Sequence, residues 1–106
     1  MICDVVKLEL LHHEDSSTRF QSRRADLDAL PSVPIDGPVC ARALEVQAAL
    51  GTRRGARHRR VKLPDYLIAA AAELAQLPLL HYDADYELVA SVTGQAHEWI
   101  APRGTL

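Results

Sequence analysis

The stretch that decides the fold is residues 64–85, which read PDYLIAAAAELAQLPLLHYDAD. Pro64 is favoured at the first position of a helix, and Asp65 is favoured in the acidic first turn. The helix is predicted to end about two residues before Pro78, because proline blocks its extension. Residues 79–82 form a short apolar run bounded by proline and acidic residues, which predicts a buried strand.

Acidic side chains mark one edge of this predicted helix–strand unit. A helix that packs back on a following parallel strand runs opposite to it, so Asp65 at the helix start is expected near Asp83 at the strand end. Ligands of open α/β sheets bind at that edge. Asp85 can reach the same edge. Glu9 is the one acid in the apolar stretch 5–11 and faces either solvent or this pocket.

Two interpretations of these acids stay open. Clustered carboxylates are stabilised by a divalent cation, Mg²⁺ or Mn²⁺ when all ligands are oxygens, and such a cation assists phosphoester hydrolysis. In the other interpretation Asp65 is only a charge at a helix N-terminus, and Asp83 and Asp85 only cap the next helix.

The charge pattern suggests a second functional feature. The chain has 106 residues, with 12 basic and 14 acidic side chains and a hydrophobic fraction of 48%, which suits one globular domain over residues 1–106 and excludes a wholly disordered chain. Half of the basic residues lie between positions 53 and 62. This basic segment either neutralises nucleic-acid phosphates or is a solvated surface loop. Its basic residues are Arg53, Arg54, Arg57, Arg59, Arg60 and Lys62.

The remaining chain alternates helical and extended patterns, and parallel strands covered by helices are the expected α/β arrangement. Gly51 is predicted to stop one helix, and the proline-rich stretch 31–38 is predicted to be a connection. The other predicted elements are helices over 2–14, 16–30, 38–50 and 86–92 and a strand over 97–100.

Other classes of function are disfavoured. No apolar run is long enough to cross a membrane, and the start lacks the pattern of a signal peptide, so a cytoplasmic location is expected. Cys3 and Cys40 are interpreted as small hydrophobic residues in a reducing compartment. His12 and His13 point about a hundred degrees apart on a helix and do not suit one zinc ion.

Several of these stretches together resemble one known family. Residues 62–70 (KLPDYLIAA), 79–86 (LLHYDADY) and 92–95 (VTGQ) are similar to the carboxy-terminal half of PIN-domain ribonucleases, in particular VapC-type toxins of bacterial toxin–antitoxin pairs. Residues 2–11 (ICDVVKLELL) resemble the glutamate-bearing helix of that family. The resemblance spans essentially the whole chain.

The resemblance implies a helix-rich, three-layer α/β/α fold with short parallel strands, and an endoribonuclease that depends on Mg²⁺ or Mn²⁺. It assigns catalytic and metal-binding roles to Glu9, Asp65 and Asp83, and a metal-binding or supporting role to Asp85. The basic segment would then bind RNA. The implied partners are a second copy in a homodimer and a VapB-type antitoxin whose tail covers the acidic pocket.

One departure from the family leaves alternatives open. The family begins with a strand that carries an aspartate of the metal site, and this chain has no counterpart, so we expect the 106-residue chain to have weak or no nuclease activity. One alternative is a non-catalytic remnant that binds an antitoxin or dimerises. Another is a helical nucleic-acid-binding module, whose binding would not respond to EDTA or to Asp65→Asn.

Overall fold

The elements of the structure alternate between helices and very short strands. A computed structural model describes residues 2–53, 57–81 and 84–100. In chain order the elements are β1 (Ile2–Cys3), α1 (Asp4–His12), α2 (Ser17–Asp28), β2 (Ser32–Val33), α3 (Gly37–Arg53), a 3₁₀ turn at Arg57–Arg60 that we call the basic turn, α4 (Leu63–Leu74), β3 (Leu79–His81), α5 (Ala84–Thr93) and β4 (His97–Trp99).

Helix α4 lies at the centre of the fold and contacts α1, α3, α5 and β3. Its start follows the sequence prediction, with proline in the first turn and Asp65 as the acidic residue of that turn. The small side chains at positions 69–71 are buried, so neighbouring elements approach the helix closely. After the helix, Gln76 takes a positive φ of 57°, which redirects the chain toward β3.

The strands form two parallel pairs. β1 pairs with β2, with Cys3 opposite Val33, and β3 pairs with β4, with Leu79 opposite His97. Helices pack against both pairs, because parallel strands need buried faces. The predicted α/β class, rich in helices and with short parallel strands, is confirmed.

The strand pair β1–β2 was not predicted. The helix predicted from residue 2 begins at Asp4, because Ile2 and Cys3 pair with β2 instead. The stretch 31–38, predicted to be only a connection, contains β2. A two-residue strand between prolines is too short to give a period-two pattern, so its partner rather than its own sequence determines it.

The predicted helix stop at Gly51 is wrong, because α3 continues through this glycine to Arg53. Gly51 instead allows α3 and the basic turn to approach closely. A Cβ atom at position 51 would lie 3.2 Å from Nδ1 of His58, which is tighter than an ordinary contact. The absence of a side chain at Gly51 therefore lets the basic turn pack against the end of α3.

The hydrophobic core joins α3, α4 and α5. Leu50 and Val89 are fully buried, and the aromatic ring of Tyr66 packs in the same cluster. Cys3 is buried in this core, whereas Cys40 is exposed, and both cysteines are free thiols. Among the described residues, no helix combines the length and the apolar character that a membrane crossing requires.

Candidate active site

Asp65 is a buried carboxylate at the start of α4, only 4% exposed. Its backbone N–H donates to the carbonyl oxygen of Lys62 over 3.0 Å. Its side-chain Oδ1 accepts a hydrogen bond of 2.9 Å from the hydroxyl of Tyr86 on α5. A helix N-terminus and a hydroxyl donor both favour the charged form of a carboxylate, which offsets the cost of burial.

Asp85 lies in the first turn of α5 and is half-buried. Its Oδ2 accepts a hydrogen bond of 3.2 Å from the backbone N–H of Lys62. Lys62 therefore binds both acids through its own backbone, Asp85 through the N–H and the main chain of Asp65 through the carbonyl. The starts of α4 and α5 are tied to the same residue.

Glu9 is exposed on α1 and lines a surface depression of about 520 Å³ together with Lys62. Leu8 and the two histidines at the end of α1 line the rest of it. As expected, His12 and His13 are exposed, and their rings meet edge to face with centroids 5.3 Å apart. Glu9 thus lines a different depression from the groove that Asp85 lines.

The fourth predicted acid, Asp83, lies outside the described residues. Within residues 2–53, 57–81 and 84–100, no three His, Cys, Asp or Glu side chains lie together in a group that could hold a metal ion. Asp65 and Asp85 hydrogen-bond to the backbone of Lys62, and Glu9 lines the same depression as Lys62, but the three acids do not form such a group by themselves.

The predicted RNA-binding residues separate in the structure. Arg57 and Arg60 of the basic turn line an open groove of about 590 Å³ together with Asp85 and other residues of α5. Arg59 and Lys62 are exposed. The backbone of Arg53 ends α3, and Arg54 lies outside the described residues. Two of the six basic residues thus share one groove with a predicted acid of the site.

Comparison with known proteins identifies the family of this chain. The PIN domain matches residues 1–92. This chain belongs to the PIN-domain family. It is 46% identical to Ribonuclease VapC18 of Mycobacterium tuberculosis over 99% of this chain and 77% of that protein. From the same organism, Ribonuclease VapC51 is 39% identical over 96% of this chain and 72% of its own length, and Ribonuclease VapC21 is 42% identical over 97% and 74%.

The predicted resemblance to VapC-type PIN domains is therefore confirmed. The chain spans about three quarters of the length of these relatives. The roles of the individual acids and the lack of a counterpart to the family's first strand stay predictions.

The basic turn of this PIN domain is anchored by His58, which sequence reasoning missed. The carbonyl oxygen of His58 accepts a hydrogen bond of 2.7 Å from the hydroxyl of Tyr66, and its ring packs beside Gly51. Burial raises the pKa of Tyr66, and the negative charge of Asp85 raises it further. The contacts of His58 fix the turn against α3 and α4, and so set where Arg57 and Arg60 lie.

Sequence reasoning also missed the role of Tyr86, whose ring packs among other aromatic side chains of the PIN domain. His81 on β3 lies beside it with ring centroids 5.2 Å apart. His81 Nε2 and His97 Nδ1 lie 2.9 Å apart in a hydrogen bond, and the rings of His81 and Trp99 have centroids 4.8 Å apart. The one sequence signal for this role was a tyrosine directly after Asp85. Its hydrogen-bond partner, Asp65, lies 21 positions away, so no local pattern connects the two residues.

Proposed function

We propose that this PIN domain is a metal-dependent endoribonuclease toxin that hydrolyses phosphodiester bonds of RNA. The observation that carries the proposal is the backbone of Lys62, which binds Asp85 and the main chain of Asp65 next to a groove lined by Arg57 and Arg60. Acidic residues for a cation and arginines for phosphates are the two requirements of a metal-dependent nuclease. The ribonuclease names of the relatives support the same reaction.

The predicted metal ligands fit a hard divalent cation, because all of them are carboxylate oxygens. Asp65 supports this fit, since it is a buried carboxylate whose hydrogen bond from Tyr86 comes from a neutral hydroxyl. Glu9, Asp65 and Asp83 would hold Mg²⁺ or Mn²⁺, and Asp85 would bind or support it. When bound, the cation supplies charge stabilisation to the phosphate and a more acidic water.

The arginines of the groove act on the substrate rather than on the cation. Arg57 and Arg60 are exposed side chains on one turn, and they line the groove that Asp85 also lines. Guanidinium groups hold phosphate oxygens through paired hydrogen bonds, so the two residues would position the RNA backbone beside the acids. Lys62 would extend the same positive surface toward the depression that contains Glu9.

The decisive experiment compares Asp65→Asn with the native chain on single-stranded RNA in Mg²⁺. Even weak cleavage by the native chain should fall below detection in Asp65→Asn, because loss of a direct ligand costs more than the roughly 10–100-fold of an outer-shell partner. EDTA should abolish the native activity. Asp26→Asn, which removes an exposed carboxylate of α2, is the matched control and should cleave as the native chain does.

A second candidate function is RNA binding without cleavage. It is favoured by the fact that the described acids do not form a three-residue group, while Arg57 and Arg60 lie together in one open groove. This alternative predicts RNA binding that weakens with salt but is unaffected by EDTA and by Asp65→Asn, with no cleavage by the native chain. The same experiment therefore separates the two candidates.

We also propose the partners and location that the family implies, namely a VapB-type antitoxin, a second copy of the chain and the cytoplasm. Leu44 on α3 and Leu63 at the start of α4 are 66% and 70% exposed and flank a small apolar groove. Exposed apolar surface of this kind supports an interface with another protein. Light scattering during size-exclusion chromatography would measure the mass of the chain, and a monomer at all concentrations would contradict the homodimer.

A further inference from the structure

We propose that Tyr86 is a positioning residue that fixes the carboxylate of Asp65 in the orientation needed to bind the divalent cation. The inference rests on the proposed function, since it assigns Asp65 to the cation. It adds to the site a residue whose side chain is neither a carboxylate nor a cation. The two side chains come from different helices, so the hydrogen bond also joins α4 to α5 at the site.

The contact is short and buried. The hydroxyl of Tyr86 lies 2.9 Å from Oδ1 of Asp65, and the two residues are 9% and 4% exposed. A hydroxyl that donates to a charged oxygen makes a stronger hydrogen bond than one between neutral groups, and low exposure strengthens it further. The bond holds Oδ1 and thereby fixes the plane of the whole carboxylate.

The ring of Tyr86 is itself held in place. The imidazole of His81 packs against it at 45° with centroids 5.2 Å apart. His81 is 5% exposed and is fixed by its hydrogen bond to His97 on the paired strand. The hydroxyl therefore reaches Asp65 from a packed aromatic base rather than from a mobile side chain, and it cannot turn away without disturbing β3 and β4.

Orientation matters because a cation selects carboxylates by geometry. Mg²⁺ requires a nearly octahedral arrangement of oxygens, so a ligand that rotates freely binds it less well. Outer-shell hydrogen bonds to metal ligands set their orientation, and their loss reduces affinity by about 10–100-fold. Removal of the Tyr86 hydroxyl should accordingly weaken metal binding while leaving the number and charge of the ligands unchanged.

The test measures Mn²⁺ affinity of the RNA-free protein by calorimetry or electron paramagnetic resonance in Tyr86→Phe and the native chain. We expect the dissociation constant to rise about tenfold. Cleavage by Tyr86→Phe should return to near the native rate at saturating Mn²⁺, since the ligands remain. The matched control is Tyr66→Phe, which removes a hydroxyl that donates to the carbonyl of His58 rather than to a carboxylate, and its Mn²⁺ affinity should be unchanged.

Three results would overturn the inference, and they differ in what they imply. If Tyr86→Phe binds Mn²⁺ as tightly as the native chain does, the hydroxyl has only a structural role, and the nuclease proposal still stands. If the native chain binds no Mn²⁺ at all, the proposed metal site is contradicted, and the role of Tyr86 at that site is contradicted with it. Equal weakening in Tyr66→Phe would also contradict the inference, because the effect would then be general.

A second measurement covers the case in which Tyr86→Phe does not fold. The chain has 3 tyrosines, so 3-fluorotyrosine labelling gives a small set of fluorine resonances, of which Tyr66→Phe and Tyr82→Phe assign two and leave that of Tyr86 by elimination. Addition of Mg²⁺ to the labelled native chain should shift the Tyr86 resonance more than the Tyr66 resonance. A Tyr86 resonance that stays unchanged at saturating Mg²⁺ would overturn the inference without any substitution at the site.

Discussion

Arginines occupy two contrasting regions of this PIN domain. Arg42 on α3 is enclosed by acids: its Nη2 lies 3.2 Å from Glu73 Oε2, its Nε also bonds that carboxylate, and its Nη1 lies 3.0 Å from Glu45 Oε2. The hydrogen bonds that Arg42 donates to Glu73 and then to Glu45 raise the pKa of its guanidinium. Arg57 and Arg60 are exposed in the groove, and neither forms an ion pair with another described residue.

Arg42 is therefore a structural cation, whereas Arg57 and Arg60 are placed to bind a substrate. A guanidinium held in a fork by one carboxylate has its donors directed to fixed partners and joins α3 to α4. The side chains of Arg57 and Arg60 are exposed, and the backbone of the basic turn that carries them is held by the hydroxyl of Tyr66. Substitutions in the two regions should affect RNA binding and stability separately.

The largest effect is expected from charge reversal in the groove. The double variant Arg57→Glu/Arg60→Glu should lose about a hundredfold in affinity for single-stranded RNA, because each phosphate contact contributes to a salt-dependent release of counterions. Fluorescence anisotropy in EDTA measures binding without cleavage. The matched control Arg19→Glu/Arg24→Glu changes the net charge equally on α2 and should bind nearly as the native chain does. Equal losses in both variants would show that only net charge matters.

Removal of an acid from the structural cluster should instead affect stability. Glu73→Ala leaves Arg42 partly buried without its forked partner, and we expect the free energy of unfolding to fall by about 2 kcal/mol. Urea denaturation followed by circular dichroism measures this change. RNA affinity should stay within about twofold of native, since Glu73 is not part of the groove. A large loss of RNA affinity in a folded protein would contradict the separation of the two regions.

A smaller effect is expected when the charge of Arg42 is kept and its fork is removed. Arg42→Lys preserves one positive charge but cannot make the paired hydrogen bonds to Glu73 while also reaching Glu45. The free energy of unfolding should fall by about 1 kcal/mol, less than in Glu73→Ala. Urea denaturation again measures the difference. If the lysine variant is as stable as the native chain, the geometry of the fork contributes nothing and charge alone is sufficient.

The smallest effect concerns Tyr66, which anchors the basic turn. A tyrosine in the unfolded chain loses its proton near pH 10.0, and burial and Asp85 raise the pKa of Tyr66 above this value in the folded protein. Stability should therefore be unaffected below pH 10 and fall as the pH rises from there through the folded pKa, because the unfolded state releases the proton first. Comparison of urea denaturation at pH 8 and 10.5 should show a smaller decrease in Tyr66→Phe than in the native chain.

Sequence reasoning succeeded where the signal was local. The start of α4 at Pro64 and Asp65 and the short strand β3 were predicted, because caps, prolines and apolar runs act within a few residues. The helix predicted over 86–92 ends close to the observed end of α5 at Thr93, and Gly94 directly after it has a positive φ of 71°. The alternation of helical and extended patterns predicted the α/β class with parallel strands, and the resemblance added the PIN family.

The missed features depend on contacts between distant positions. β2 at Ser32–Val33 exists through its pairing with β1, and the role of Gly51 depends on the ring of His58 across the bend. The hydrogen bond of Tyr86 to Asp65 joins two helices. Neither residue propensity nor hydrophobic periodicity predicts such contacts, because they form only when the elements pack together. The meeting of Asp83 with Asp65 stays a prediction.

The bare backbone of Gly51 has a consequence for engineering this domain. With only hydrogen at this position, the distance between α3 and His58 is set by direct contact. Replacement of Gly51 by alanine, serine and valine would push the basic turn outward in graded steps without altering any charge. In such a series the size of residue 51 would set the distance between the arginines of the basic turn and the acids.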